Sequence, residues 1–464
     1  MMNGLADAWV WLSGIFEYSL AIFGILATLF FFLAVFSEKN ARKFGIIGGA
    51  CAIWMMLSLV LMTAGDTLWR IQVREMQGIF QLSLSMIFLL STVFLIKFAF
   101  EARNKVDHKE AFYSTLLLAC VVCIIGLYLF ITCIPIVLGP ADISLENLIP
   151  MFSLMYPFPI AHVTLTIVPL VLFTVGAYVL KEMKTRRYES GSMQELDKYQ
   201  KTLSKVDLEI SRKIYHVLIV VVLVCYLFVG KIALGSIFGF SLDLPLPVGM
   251  IELDPVTNII NPYILDTRAG HLTLLLALAW ILIILLFTDA VRIKKYRYYP
   301  IKMLAKVYRD KERVVLAPHV YLSAGCLFIV FLSDVIDHFL GVPTSISAQI
   351  VIITVMISAL ADAVATIFGV TKGKHHLKGG KSKKTWEGLI AGFGSAIALS
   401  LLSYLVLMSQ YGGSITQGVI FSLIGATVFT LIDYYSPPIP ISDNILNPLA
   451  IGLTLWGVWF LFYF

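Results

Sequence analysis

The sequence predicts an all-α, polytopic membrane protein of about twelve transmembrane helices with its N-terminus outside. Three observations carry that expectation. Hydrophobic residues make up 59% of the 464-residue chain, charged residues only 14%, and mean hydropathy is +0.88; a soluble domain carries about 25% charge. Apolar runs recur that reach or approach the ~20 residues needed to cross a bilayer, and the lack of hydrogen-bond partners in lipid makes such runs helical. The alternating ~10-residue segments of a membrane β-barrel do not occur.

In chain order, the expected spans are 16–37, 45–64, 79–100, 112–138, 159–180, 214–234, 270–288, 318–340, 347–369, 387–408, 415–432 and 446–462. The distribution of basic residues tests this parse, because Lys and Arg concentrate in cytoplasmic loops. Of 35 Lys and Arg, 30 fall in alternate loops, at 38–44, 101–111, 181–213, 289–317 and 370–386. The opposite loops hold only Arg70, Arg74 and Arg268, while Lys97 and Lys231 lie near helix ends. A wrong span count would scramble that asymmetry. It sets the N-terminus outside and the 370–386 loop in the cytoplasm.

The opening stretch MMNGLADAWVWLSG has no basic region and no small-residue cleavage site, so no cleaved signal peptide is expected. All six cysteines sit in apolar stretches, and Cys120-x-x-Cys123 reads as helix packing rather than as a disulfide or zinc motif. The chain divides into a five-helix region of unassigned role (1–180), a charged cytoplasmic linker (181–213) and a membrane domain (214–464) that carries the polar features.

The densest of those features runs from Ser358 to Gly388. Asp362 interrupts an apolar helix, a loop with Gly369, Gly373, Gly379, Gly380 and six lysines follows, and Glu387 opens the next helix. Ionisable residues within the membrane are costly and mark functional sites. Asp362 lies seven residues before the inner end of its span, roughly 10 Å along the axis. Asp334, Asp337 and His338 fall at the opposite end and read as a wetted helix terminus. On the cytoplasmic side gather Arg212, Lys213 and His216; Asp289 and Arg292; Arg309, Glu312 and Arg313; Glu387; Asp433; and Asp443 with Asn444.

Acids, glycines and lysines on one face suit phosphoryl or nucleotidyl transfer. Mg²⁺ prefers one or two carboxylates plus phosphate oxygens and water, which Asp362 with Asp443 or Glu387 can supply. Lysines and backbone N–H groups at a helix start hold phosphate charge, and Lys381, Lys383 and Lys384 precede such a start. The G-x-x-x-x-G-K-[ST] loop is absent, as is a protein-kinase constellation. Nothing points to nucleic acid.

These residues resemble the signature of CTP-dependent polyprenol kinases, the group of dolichol kinase, phytol kinase and CTP-dependent diacylglycerol kinase. The likeness rests on Ala361-Asp362-Ala363-Val364-Ala365, Gly369, Gly373-Lys374-His375 and Lys383-Lys384-Thr385-Trp386-Glu387-Gly388. It extends to Arg212-Lys213-Ile214-Tyr215-His216, to RDKERVVLAPHVY from Arg309, and to Asp443-Asn444 through Pro448. It covers about residues 208–464.

The resemblance implies CTP-dependent phosphorylation of a membrane isoprenoid alcohol such as dolichol or polyprenol at the cytoplasmic face. It implies Mg²⁺ on Asp362 and Asp443, and CTP held by Gly373, Lys374, His375, Lys381, Lys383, Lys384, Thr385, Asp443, Asn444, Arg212 and Lys213. His216, Glu387 or Asp443 would take the hydroxyl proton. The membrane would be the endoplasmic reticulum in a eukaryote and the plasma membrane in a prokaryote. Ala361 stands where the group usually has Gly, which puts close helix packing at that point in question.

Two alternatives stay open. Phosphatidate cytidylyltransferases and CDP-archaeol synthases also use CTP and Mg²⁺, but the bacterial and eukaryotic cytidylyltransferases usually close with an Asp-rich stretch where this chain has SDNILNPL. A transporter would show paired broken helices in both halves, whereas the polar features here sit in the C-terminal half.

Overall fold

The computed structural model describes residues 22–37, 39–69, 74–105, 109–138, 278–279, 281–295, 315–340, 344–377, 384–411, 413–435 and 439–463, with single positions that include Glu209, Arg212, Lys213, His216, Tyr299, Tyr308 and Glu312. The expected span at 159–180, most of the linker 181–213 and the outer loop 235–269 lie outside these residues. So does the span at 214–234 apart from His216.

Helices account for the regular structure among the described residues. They are α1 (Ile22–Phe36), α2 (Ala41–Trp69), α3 (Arg74–Lys105), α4 (Lys109–Leu138), α5 (281–294), α6 (Pro318–Leu340), α7 (Thr344–Met356), α8 (Asp362–Thr371), α9 (Trp386–Tyr411), α10 (Ile415–Tyr435) and α11 (Asp443–Tyr463). A five-residue π-turn, Ile357–Ala361, joins α7 to α8 into one span. Seven described helices are long and apolar enough to cross a membrane. Four described cysteines, Cys120 and Cys123 among them, are free thiols.

The bundle has two apolar cores that meet on α7. One joins Leu118 and Val122 of α4 to Leu282 of α5, Leu322 and Ile329 of α6, Val351 of α7 and Ile445 of α11. The other gathers Ile353 of α7, Ala365 of α8, Ala396 of α9, Phe429 of α10 and Trp456 of α11. The Trp456 indole also donates to Ser333 Oγ on α6 at 3.0 Å, which satisfies a buried N–H. The N-terminal helices α3 and α4 thus share a core with the C-terminal half.

Helices α8 and α9 approach through small residues, as membrane helices do when no hydrophobic force drives them together. Ala361, Ala365 and Gly369 line one helix at four-residue spacing, and Gly388, Gly392 and Ala396 line the other. A Cβ on Gly388 would lie 2.8 Å from the Ala365 carbonyl oxygen and 3.0 Å from Gly369 Cα, both backbone. Ala361 itself is fully buried in the second core, so the extra methyl is accommodated. Gly388→Val should cost about 2 kcal/mol through forced helix displacement. Gly394→Ala, where a Cβ meets nothing within 4 Å, should be neutral. Thermal unfolding midpoints in detergent check the pair.

At the end of the bundle away from Asp362, Asp337 accepts a hydrogen bond from the Ser347 hydroxyl at the start of α7. This partner makes Asp337 a helix-joining group rather than a merely wetted one. Asp334→Asn, on the same turn of α6, should leave turnover within about twofold, the effect of ~0.5 kcal/mol.

Candidate active site

The π-turn sets the site. Its wider winding bonds the Asp362 N–H back to Ile357 and Ala359 carbonyls, inserting one residue into the ladder and re-aiming the start of α8. Asp362 is 8% exposed. Its carboxylate forms an ion pair with Lys213 and lies 3.3 Å from His216 Nε2. An acid at membrane depth is tolerable only with such partners.

His216 is 5% exposed, and its Nε2 sits between two acceptors, Asp362 Oδ2 and Asn444 Oδ1, each at 3.3 Å. The Asn444 amide nitrogen donates to Ser442 Oγ at 3.3 Å and Asp443 Oδ1 at 3.1 Å, which turns its oxygen toward the imidazole. Two facing acceptors put a proton on Nε2. Nδ1 is buried and has no hydrogen-bond partner among the described residues, which leaves its lone pair free in the neutral ring.

Lys384 ties three elements together. Its ammonium lies 2.5 Å from Asp433 Oδ1 at the end of α10 and 3.5 Å from Asp443 Oδ2 at the start of α11. Burial works to lower its pKa, but attraction to Asp443 and Asp433 prevails and holds the ammonium well above the usual lysine value. Lys384 and Asp433 also feel the charge of Asp362, so the two clusters belong to one electrostatic site.

The described ends of the glycine loop, 372–377 and 384–386, pair as a short antiparallel hairpin stem. His376 bridges Thr385, the Leu377 N–H donates to Lys384 O and the Trp386 N–H to His375 O, both at 2.9 Å. Thr385 caps α9, accepting the Gly388 N–H on its hydroxyl at 3.3 Å. A Cβ on Gly373 would collide with that same Thr385 side chain at 2.6 Å, so glycine is required there. Glu387 clasps the loop from below, with its carboxylate taking the His375 N–H at 3.2 Å and His375 Nδ1 at 2.6 Å. Lys374 and His375 are exposed on the hairpin. Lys381 and Lys383 lie outside the described residues.

A buried scaffold positions the Lys213 helix. Arg292 grips Asp289 through two nitrogens at 2.5 and 3.1 Å and donates to the Glu312 and Val315 carbonyls at 2.7 Å. Asp289 accepts the Ala317 N–H at 2.6 Å, fixing the entry to α6. The Glu312 carboxylate in turn pairs with Arg212, which also holds Glu209 at 3.0 Å. Arg212 therefore anchors the residue beside it, Lys213, rather than pointing as a free cation at a ligand.

Pro448 lies inside α11 and has no N–H, so the Asn444 carbonyl four residues back lacks its intrahelical donor. Gly325 on α6 leaves room for the Pro448 ring, where a Cβ would meet it. Of the expected residues, Asp362, Lys213, His216, Asn444, Asp443 and Lys384 converge, and Thr385 and Glu387 shape the loop. Asp433 was expected among the groups on that face but without a role, and the π-turn was not expected at all. An acid at the inner end of a span was the only signal for Asp433, and nothing in the sequence announces the turn.

No group of three or more His, Cys, Asp or Glu side chains that could hold a metal ion occurs among the described residues. The model of the cytidylyltransferase family matches residues 210–433, a span that contains Arg212, Lys213, His216, Asp362, Lys384 and Asp433. No curated protein and no solved structure matches the chain. The family match fits the superfamily of CTP-dependent membrane enzymes that act on lipids as kinases or cytidylyltransferases.

Proposed function

We propose that this protein is a CTP-dependent kinase that phosphorylates a membrane isoprenoid alcohol, of the dolichol or polyprenol class, at the cytoplasmic face. The observation that carries the reading is the Lys213–Asp362–His216–Asn444 cluster beside the Asp433–Lys384–Asp443 bridge. It joins a buried acid, a basic imidazole nitrogen and a lysine at the end of an apolar bundle. SDNILNPL in place of an Asp-rich closing stretch favours phosphoryl over cytidylyl transfer.

In this mechanism Lys384, the start of α9 and the hairpin backbone hold the CTP phosphates. The lipid tail lies among the helices and presents its hydroxyl beside His216. The alcohol oxygen bonds to the γ-phosphorus as the bond from that phosphorus to the β-phosphate bridging oxygen breaks. CDP leaves, and the hydroxyl proton passes to His216 Nδ1 while Asp362 and Asn444 steady the ring through Nε2. Glu387 is already engaged with His375, which favours His216 over it as the base.

Asp362 and Asp443 are the carboxylates that would hold Mg²⁺. A pair without a third protein ligand suits an ion that brings phosphate oxygens and water as the rest of its shell. When bound, the ion supplies charge neutralisation across the transferring phosphates.

The family match is equally compatible with a second reading, cytidylyl transfer to a lipid phosphate with release of pyrophosphate. One assay separates the two: purified protein, Mg²⁺, a polyprenol mixture or phosphatidate as acceptor, and CTP labelled at the γ- or the α-phosphate. Label from the γ position in the lipid supports the kinase. Incorporation of α label instead, with phosphatidate as acceptor, moves the assignment to cytidylyl transfer, and incorporation of neither moves it to a different acceptor or to transport.

A further inference from the structure

The Asp443–Asn444 element is held from a distant part of the chain. Ser114, near the start of α4, is fully buried, and its Oγ accepts the backbone N–H of Ser442 at 2.7 Å across 328 residues. Ser442 is the residue from which α11 begins. Its carbonyl accepts the N–H groups of Ile445 and Leu446 at 3.2 and 3.1 Å, and its hydroxyl accepts from the Asn444 amide. One residue along, the Thr115 and Tyr321 hydroxyls are hydrogen-bonded at 2.8 Å, both buried, locking α4 against α6. Leu118 and Val122 of α4 then share a core with Ile445 and Leu449 of α11.

We infer that Ser114, in the N-terminal half, is a positioning residue for the site. It fixes the turn from which Asp443 reaches Lys384 and Asn444 reaches His216. Without its hydroxyl the Ser442 N–H is a buried donor with no acceptor, a state that costs more than the bond was worth. The cheapest relief is to let the start of α11 swing toward water, and that carries Asp443 and Asn444 with it. Because Asn444 fixes the orientation of the His216 ring, the movement ends at the Nδ1 lone pair. Helix α4 is therefore part of what shapes the catalytic end, although none of its side chains faces the nucleotide in the proposed mechanism.

The kinetic consequence rests on the CTP-transfer reading, whereas the structural one does not. The test uses the full-length protein in detergent as wild type, Ser114→Ala and Ser85→Ala. Ser85 on α3 donates to the Gly126 carbonyl of α4 at 2.9 Å, an equally buried bond to the same helix that leaves α11 untouched. Amide hydrogen exchange is followed over Ser442–Leu446, alongside kcat and KM for CTP and lipid.

In Ser114→Ala these amides should exchange about five- to a hundredfold faster. The kcat should fall about ten- to a hundredfold, as expected for a displaced catalytic group, with KM for the lipid unchanged. Ser85→Ala should match wild type in both. Unchanged exchange in Ser114→Ala, or equal acceleration in Ser85→Ala, overturns the inference. Should Ser114→Ala not purify as folded protein, Ser114→Cys, close in volume and a weaker acceptor, is read by the same criteria. If wild type transfers nothing from CTP, the kinase reading falls while the exchange comparison still decides the role of Ser114.

Discussion

Asp362→Asn is expected to lower lipid phosphorylation by about a hundred- to a thousandfold, the scale of losing a charged group aimed at the transition state. The protein should still insert and purify. Asparagine keeps the shape and one acceptor, so the loss isolates the charge. The substitution also leaves Lys213 without its buried partner, which by itself is destabilising. Lys213→Met combined with Asp362→Asn separates the two effects. The double variant removes both charges of the ion pair and should recover thermal stability. It should not recover transfer. Recovery of transfer in the double variant would reduce Asp362 to a structural counter-ion.

Lys384→Met should raise KM for CTP by about a hundredfold, because in the proposed mechanism the side chain meets phosphate, and it also neutralises two carboxylates. In its absence Asp433 and Asp443 repel each other across the gap between α10 and α11. Lys384→Arg should recover part of the affinity while keeping the charge. Affinity is read by isothermal titration with CTP. An unchanged KM in Lys384→Met would remove this residue from phosphate binding.

The pH dependence follows from the same pair of acids. The folded-state pKa of Lys384 is raised, so its contribution to stability is complete below the ordinary lysine value of about 10.4. It is lost only as pH climbs through the higher folded value. Thermal midpoints should therefore show no loss from this bridge between neutral pH and about pH 10. Lys384→Met should remove any decline that the bridge causes above that range.

Much of the molecule was legible in the chain because it depends on local chemistry. Apolar runs of membrane length dictate helices: the expected span at 318–340 coincides with its helix, and those at 347–369, 387–408, 415–432 and 446–462 lie within helical stretches that run a few residues further. The grouping of Lys213, His216, Asn444 and Asp362 into one polar set was also legible, because ionisable residues are rare in apolar runs.

Pairing was not legible, because it is set by which helices touch. Lys213 meets Asp362 across 149 residues, Arg212 meets Glu312 across 100 and Ser442 meets Ser114 across 328. A carboxylate such as Glu387 reads in the chain as a base and in the fold as a loop clasp. The π-turn likewise has no signature in Ile357–Ala361, an apolar stretch like its neighbours except for one serine. Composition and hydropathy alone determined that this protein is a helical membrane bundle. Tertiary packing decided which acid faces which base, because a buried charge settles wherever a neighbouring helix brings its counter-charge within reach.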